Sequence, residues 1–302
     1  MHPLEGMLVV DLSRYLPGPF ATRELLRLGA RVVRVEPPEG DPMRLVDPGW
    51  DAELNAGKES VVCDLKAEPE LARALCRRAD VVVEGFRPGV AARLGLEPGP
   101  RTVWCSITGF GSEGRHAQRV GHDLNYLGWA GVLEATAPTN PPVPAADFTG
   151  SFAAVREILA ALLERARTGR GARLEVSMTH EAHRLAAPPL LTGAAACYRV
   201  YECADGRYLT VAALEPRFWQ RFLELVRLPG LDAFAPELPK LEARLRERPL
   251  AEWLELLDGE EVCAGPVAAL AEAAQEFGGA PRGESAALGE HTEAWREDLR
   301  AG

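Results

Sequence analysis

The stretch MLVVDLSRYLPGPFATRELLRLGARVVRVE, residues 7–36, reads as strand, helix, strand. Met7-Leu8-Val9-Val10 and Val32-Val33-Arg34-Val35 are short runs rich in β-branched residues. Between them an amphipathic segment begins near Pro19 and stops at Gly29, where glycine takes the left-handed turn that ends a helix. The pattern repeats outward along the chain. Val61-Val62-Cys63 precedes a helix over 68–78, Val81-Val82-Val83 precedes a short helix from Pro88, and Val103-Trp104-Cys105-Ser106-Ile107 follows. A long helix, Phe152 to Arg167, ends at Gly169 ahead of the strand Arg173-Leu174-Glu175-Val176. Short apolar strands alternating with helices predict a doubly wound, mostly parallel α/β sheet covered on both faces.

A Pro- and Ala-rich passage, Ala186 to Ala196, predicts a domain boundary. Beyond it, Tyr198-Arg199-Val200-Tyr201 and Tyr208-Leu209-Thr210-Val211 flank Asp205-Gly206, a hairpin signal. Helices are expected from Pro216, from Lys240, from Pro249 and over Ala268 to Phe277. The expected organisation is a large domain of residues 1–185 and 281–302, with a smaller α+β domain of residues 186–280 inserted in it.

With 302 residues, 47% of them hydrophobic and 26% charged, the chain can bury a full core. The net charge of −10 carries no basic tail, which argues against nucleic acid as a partner. An anionic small molecule requires a local cluster of arginines instead. The six cysteines, at 63, 76, 105, 197, 203 and 263, form no CxxC pair and read as reduced core thiols. The start MHPLEGMLVVDLS has no basic leader, and no apolar run spans a membrane; the expected location is cytoplasmic.

Two motifs invite readings that their surroundings refuse. Gly109-Phe110-Gly111-Ser112-Glu113-Gly114 is a GxGxxG after a strand, but the polar stretch behind it ends at Gly121 and opens no helix to face a pyrophosphate. His180-Glu181-Ala182-His183 has one residue too few between its Glu and second His for the zinc-protease spacing, so no metal site is expected. GxSxG is absent. His122 and Asp147 remain. Asp147 is placed just ahead of the long helix, where the dipole favours an ionised carboxylate. By spacing alone, a helix cap and a polar loop residue are a better reading than an acid/base pair.

Read in order, Leu4-Glu5-Gly6, Asp11-Leu12-Ser13, Pro17-Gly18-Pro19-Phe20, Gly57-Lys58, Asp64-Leu65-Lys66, Phe86-Arg87-Pro88-Gly89, Thr108-Gly109-Phe110-Gly111, Gly121-His122-Asp123-Leu124-Asn125-Tyr126, Ala146-Asp147-Phe148 and Leu288-Gly289-Glu290-His291-Thr292 form a series. The series resembles the alpha-methylacyl-CoA racemase branch of the class III CoA-transferase family, from Leu4 to about Trp295. That resemblance implies proton transfer at the α-carbon of a 2-methylacyl-CoA, with His122 and Asp147 as acid and base. Glu215 is implied to support His122 from the partner subunit of an interlocked homodimer.

It also implies CoA contacts at Val62, Cys63, Asp64 and Leu65 and at Gly121, Asp123, Leu124, Asn125 and Tyr126. Arg44, Lys58 and Arg87 are expected to meet the phosphates. No cofactor is implied beyond the CoA of the substrate. The resemblance departs at Pro37, where the family often has Arg, and at Thr149 and Ser151, where glycines are common. Two other activities fit the same residues: CoA transfer with Asp147 as nucleophile, and acyl-CoA binding without catalysis.

Overall fold

The computed structural model describes residues 2–278 and 283–301. It divides into two compact units, one holding the described residues up to Ala186 and from Gly283 onward, the other those from Ala187 to Gly278. The expected return of the chain near Pro281 lies outside the described residues.

In the first unit the elements follow as β1 (Leu8–Asp11), α1 (Pro17–Arg27), β2 (Arg31–Glu36), α2 (Met43–Val46), α3 (Pro48–Asn55), β3 (Glu59–Val62), α4 (Glu70–Arg78), β4 (Val81–Glu84), α5 (Val90–Arg93), β5 (Val103–Thr108), α6 (Asp123–Trp129), α7 (Ala145–Thr168), β6 (Ala172–Ser177) and α8 (Met178–Arg184). The second unit holds β7 (Tyr198–Glu202), β8 (Tyr208–Ala212), α9 (Pro216–Leu225), α10 (Pro239–Leu245), α11 (Leu250–Leu257), β9 (Ala264–Pro266) and α12 (Leu270–Phe277). The C-terminal helix α13 (Thr292–Ala301) belongs to the first unit.

The large sheet has the order β3-β2-β1-β4-β5-β6, with every neighbouring pair parallel. The period-two alternation of each strand divides the core. Val9, Val32, Val81, Val83, Val103, Cys105 and Ile107 face Ala21 and Leu25 of α1 and Ala153, Ala154, Ile158 and Leu162 of α7. Val10, Val33, Val35, Val61, Val82 and Trp104 face the other way, onto Ala72, Leu75 and Cys76 of α4 and Trp295 of α13. The four inner strands β2, β1, β4 and β5 are therefore apolar on both faces, whereas edge strand β6 leaves Arg173 and Glu175 exposed on one side.

In the second unit β7 and β8 form the expected antiparallel hairpin, joined on by β9. Gly206 takes φ +73° in its turn, and the Asp205 carboxylate accepts the amides of Arg207 and Leu250. Trp219, Phe222, Leu223 and Trp253 fill this unit's core. Five cysteines are buried, but Cys263 is exposed, against the expectation of core thiols throughout; it sits at the turn into β9, not on a packed face.

The carboxyl end of the β1–β2–β3 half is held by buried charge. Lys58 donates to Asp11 Oδ2 at 3.3 Å, to the Pro19 carbonyl and Asn55 Oδ1 at 2.8 Å, and to Thr22 Oγ1 at 2.7 Å. Asp11 also accepts from the Ser13 amide and from Thr22 Oγ1. Beside this pair, buried Arg34 meets Asp51 at 2.7 Å and Asp41 at 3.0 Å. Glu36 takes two 2.7 Å bonds from Arg44. The returning C-terminal segment closes onto the same place. Arg44 reaches the Ala286 carbonyl, and the Ser60 and Val62 amides of the sheet edge donate to His291 Nδ1 and Thr292 Oγ1. Removing the cation should leave Asp11 buried without its charge partner, so Lys58→Met should lower the unfolding free energy by about 3–5 kcal/mol in a urea titration.

Candidate active site

A cavity of about 400 Å³ opens at the carboxyl ends of β1, β4 and β5. The sheet winds from β1 out to β3 and then restarts at β4 on the other side of β1, so the cavity stands at the topological switch point. Its walls are the β1–α1 turn from Leu12 to Tyr15 with Pro17 and Gly18, the segment Gly85-Phe86-Arg87 after β4, and Ile107, Gly121, His122, Tyr126, Asp147 and Met178. His122 and Asp147, 25 residues apart in the chain, line the same space.

Local packing explains how. Gly18 comes so close to Ser13 that a Cβ there would meet its hydroxyl at 1.9 Å, and Pro17 starts α1 at its first turn. Gly109 and Gly121 both pack against the Tyr126 ring, at 2.5 Å and 2.9 Å for a Cβ, and the Tyr126 hydroxyl donates to the Gly121 carbonyl. The GxGxxG thus shapes a loop: no helix starts before Asp123. The sequence reading missed α6, in which Asn125 Oδ1 reaches back to the His122 amide at 3.1 Å; Asn at the third helical position was the legible sign.

Asp147 is neither ahead of its helix nor its cap. Helix α7 starts at Ala145, seven residues before the predicted Phe152, because Asp123 of α6 caps it from outside. The Asp123 carboxylate accepts the amides of Ala146 at 2.8 Å and Asp147 at 3.1 Å. The Asp147 carboxyl is left to the cavity, where its surroundings disfavour ionisation despite the helix start. Burial, with the Asp123 charge beside it, pushes it up to about 7. Burial likewise raises Asp123, opposed by its two amide donors. The Tyr126 hydroxyl is pushed up to about 12 by burial and by the Asp147 and Asp123 charges.

The other expected site residues divide. Arg87 lines the cavity with Arg14, which the sequence reading missed, and neither has a carboxylate partner among the described residues. These two guanidinium groups suit an anionic substrate. Lys58 is not placed to meet a phosphate: its ammonium is 1% exposed and enclosed by the four acceptors given above. Arg44 is bound to Glu36 and Ala286, so it too serves the buried charge network. Of the backbone expected to touch CoA, the Val62 amide is taken by Thr292 and the Cys63 amide by the Glu36 carbonyl. Asp64 is exposed and accepts the Lys66 and Ala67 amides, Leu65 packs at the core's edge, and Leu124 is exposed on α6.

Thr149 donates to the Ala146 carbonyl, and Ser151 donates to the Asp147 and Pro17 carbonyls, joining α7 to α1. Glu215 is exposed at the start of α9 in the second unit, where its carbonyl accepts the Phe218 and Trp219 amides. His180 and His183 sit on Ser177 Oγ and the Ala130 carbonyl, and no acidic, His or Cys group among the described residues is arranged to hold a metal. No helix is long and apolar enough to cross a membrane among these residues.

The sequence pattern of CoA-transferase family III matches residues 4–293. The chain belongs to this family. It is 35% identical to the human alpha-methylacyl-CoA racemase over 304 residues, covering 87% of this chain and 77% of that protein. It is also 32% identical to an acetyl-CoA:oxalate CoA-transferase from Acetobacter aceti, covering 90% and 82%. The crystal structure of a CAIB/BAIF family protein from Brucella suis superimposes with a TM-score of 0.83 at 28% identity, covering 99% of each chain. Racemases and CoA-transferases both stand among its relatives, and the family is enzymatic.

The Asp123–Asp147 pairing can be tested directly. Asp123→Asn keeps an oxygen to cap α7 but removes the like charge, so Asp147 should titrate below its present value of about 7. Carboxyl carbon NMR of Asp147 across pH checks the shift.

Proposed function

We propose that this family III enzyme is a racemase of 2-methylacyl-CoA thioesters, exchanging the α-proton between His122 and Asp147. What carries the reading is that both side chains line one cavity, with Asp147 pushed up to about 7, between a committed base and a committed acid. The α-proton of a thioester is weakly acidic, and its loss places negative charge on the carbonyl oxygen. A base on one side of the carbon and an acid on the other invert the centre, and their roles exchange with the hand of the substrate. The reaction so written needs no metal and no organic group beyond the CoA of the substrate. Arg14 and Arg87 at the cavity wall supply positive charge for an anionic ligand.

The second reading is CoA transfer through an acyl-Asp147 intermediate, favoured by the transferases among the relatives. The two differ in what pH does. Proton exchange needs one proton shared by the pair, and the forward and reverse working forms differ only in which residue holds it. The kcat/KM profiles of the two enantiomers should therefore coincide and fall on the alkaline side once the pair has lost that proton. A nucleophilic Asp147 must be bare, so transfer should rise as pH passes about 7 and stay high. Incubation of one enantiomer of a 2-methylacyl-CoA in heavy water should place deuterium at the α-carbon as optical purity falls. His122→Ala and Asp147→Ala should each abolish interconversion. Acyl exchange with an added free acid, without α-deuterium and surviving His122→Ala, would replace the racemase reading with the transferase one. Binding without either exchange would make the chain a catalytically idle acyl-CoA binder.

The same reading assigns Glu215 to orient His122 across a homodimer. Glu215→Gln should then lower kcat while leaving KM for the thioester nearly unchanged, and sedimentation at micromolar concentration should show a dimer.

A further inference from the structure

Tyr15 stands out in the wall of the cavity. It is one of three non-glycine residues at positive φ among those described, at +65°, a conformation that costs a bulky side chain steric energy. The fold holds it there from behind. The Tyr15 amide donates to Asp41 Oδ2 at 3.1 Å, and the same oxygen is paired with the buried Arg34 guanidinium at 3.0 Å. Asp41 is itself held by its own amide on Glu36 and by the Met43 amide on its other oxygen. The strained turn delivers the Tyr15 ring edge-on to the His122 imidazole, with centroids 5.5 Å apart and planes at 82°. His122 itself makes no side-chain bond to cap α6, so its ring is not fixed from within its own element.

We propose that Tyr15 is the positioning residue for His122, its ring anchored through the strained 13–16 turn to the buried Arg34–Asp41 pair. The inference rests on the assignment of His122 as one of the two acid/base groups. An edge-on aromatic neighbour limits rotation of the imidazole without drawing a proton from it, so either ring nitrogen stays free to serve the substrate. It also explains why strain persists at a position where glycine would relieve it. Arg34, Asp41 and Glu36 then carry two duties, tying down the carboxyl end of β2 and setting the angle of the catalytic wall. The apolar ring face occupies cavity space that a smaller side chain would leave to water.

The test replaces Tyr15 by residues that separate the ring from the backbone. Tyr15→Gly removes the ring and accepts φ +65° freely, so the protein should melt no lower than the parent. Its kcat for α-proton exchange should nevertheless fall about tenfold, with KM for the acyl-CoA changed less than about twofold, as for a misoriented catalytic group. In protein labelled at histidine Cε1, the His122 resonance should shift and broaden. Tyr15→Phe, which restores the ring edge, should recover both the resonance and most of the turnover. An unmoved His122 resonance in Tyr15→Gly overturns the proposal. Equal loss of turnover in Tyr15→Phe and Tyr15→Gly also overturns it, since the hydroxyl and not the ring would then matter. If the parent protein exchanges no α-proton, the racemase reading fails by itself, and the resonance still decides whether Tyr15 positions His122.

Discussion

The Lys58 ammonium enclosed by Asp11, Thr22, Asn55 and the Pro19 carbonyl is the interaction on which the rest of the first unit depends. A charge with 1% exposure is tolerated only with complete partners, and its partners come from the end of β1, the first turns of α1 and the end of α3. Burial pulls the Lys58 pKa down to about 8, with Asp11 opposing it, so the ammonium is still charged at neutral pH. Fixing those elements fixes the turn of residues 12–18, which is one wall of the cavity. The adjoining Arg34, Glu36, Asp41, Asp51 and Arg44 extend the network to the sheet edge, where the C-terminal segment completes it. A chain that leaves the first unit at Ala186 is thereby brought back to it.

The cavity then follows from topology. Its position at the β1/β4 switch point is where loops from both halves of the sheet diverge and leave space. In the wall of the cavity the starts of α6 and α7 are locked together. Asp123, next to His122 in sequence, caps the helix that carries Asp147. One carboxylate therefore sets the distance between the two chemical groups and the charge felt by one of them. Such an arrangement suits either a proton relay or a nucleophilic carboxylate, and the relatives include proteins named for both activities.

Much of this was legible in the sequence. The strands Val9-Val10, Val32 to Val35, Val81 to Val83 and Val103 to Ile107 declare a sheet buried on both faces, because only such a sheet makes use of side chains at every position of a strand. The motif series paired His122 with Asp147, and both line one cavity. It misled at Lys58 and Arg44, since a cation quoted from a sequence does not show whether its partner will be a substrate phosphate or a buried carboxylate.

By itself the sequence determined the six strands of the large sheet, the hairpin at Asp205-Gly206 and the residues able to do acid/base chemistry, because these depend on local periodicity, turn geometry and side-chain type. Only the tertiary structure decided the strand order β3-β2-β1-β4-β5-β6, that Asp123 and not Asp147 caps α7, and that Asp147 is raised to about 7. It also decided that Tyr15 stands edge-on to His122 at positive φ. Desolvation, like-charge repulsion and backbone strain are set by groups distant in the chain, and no local pattern encodes which of them will meet.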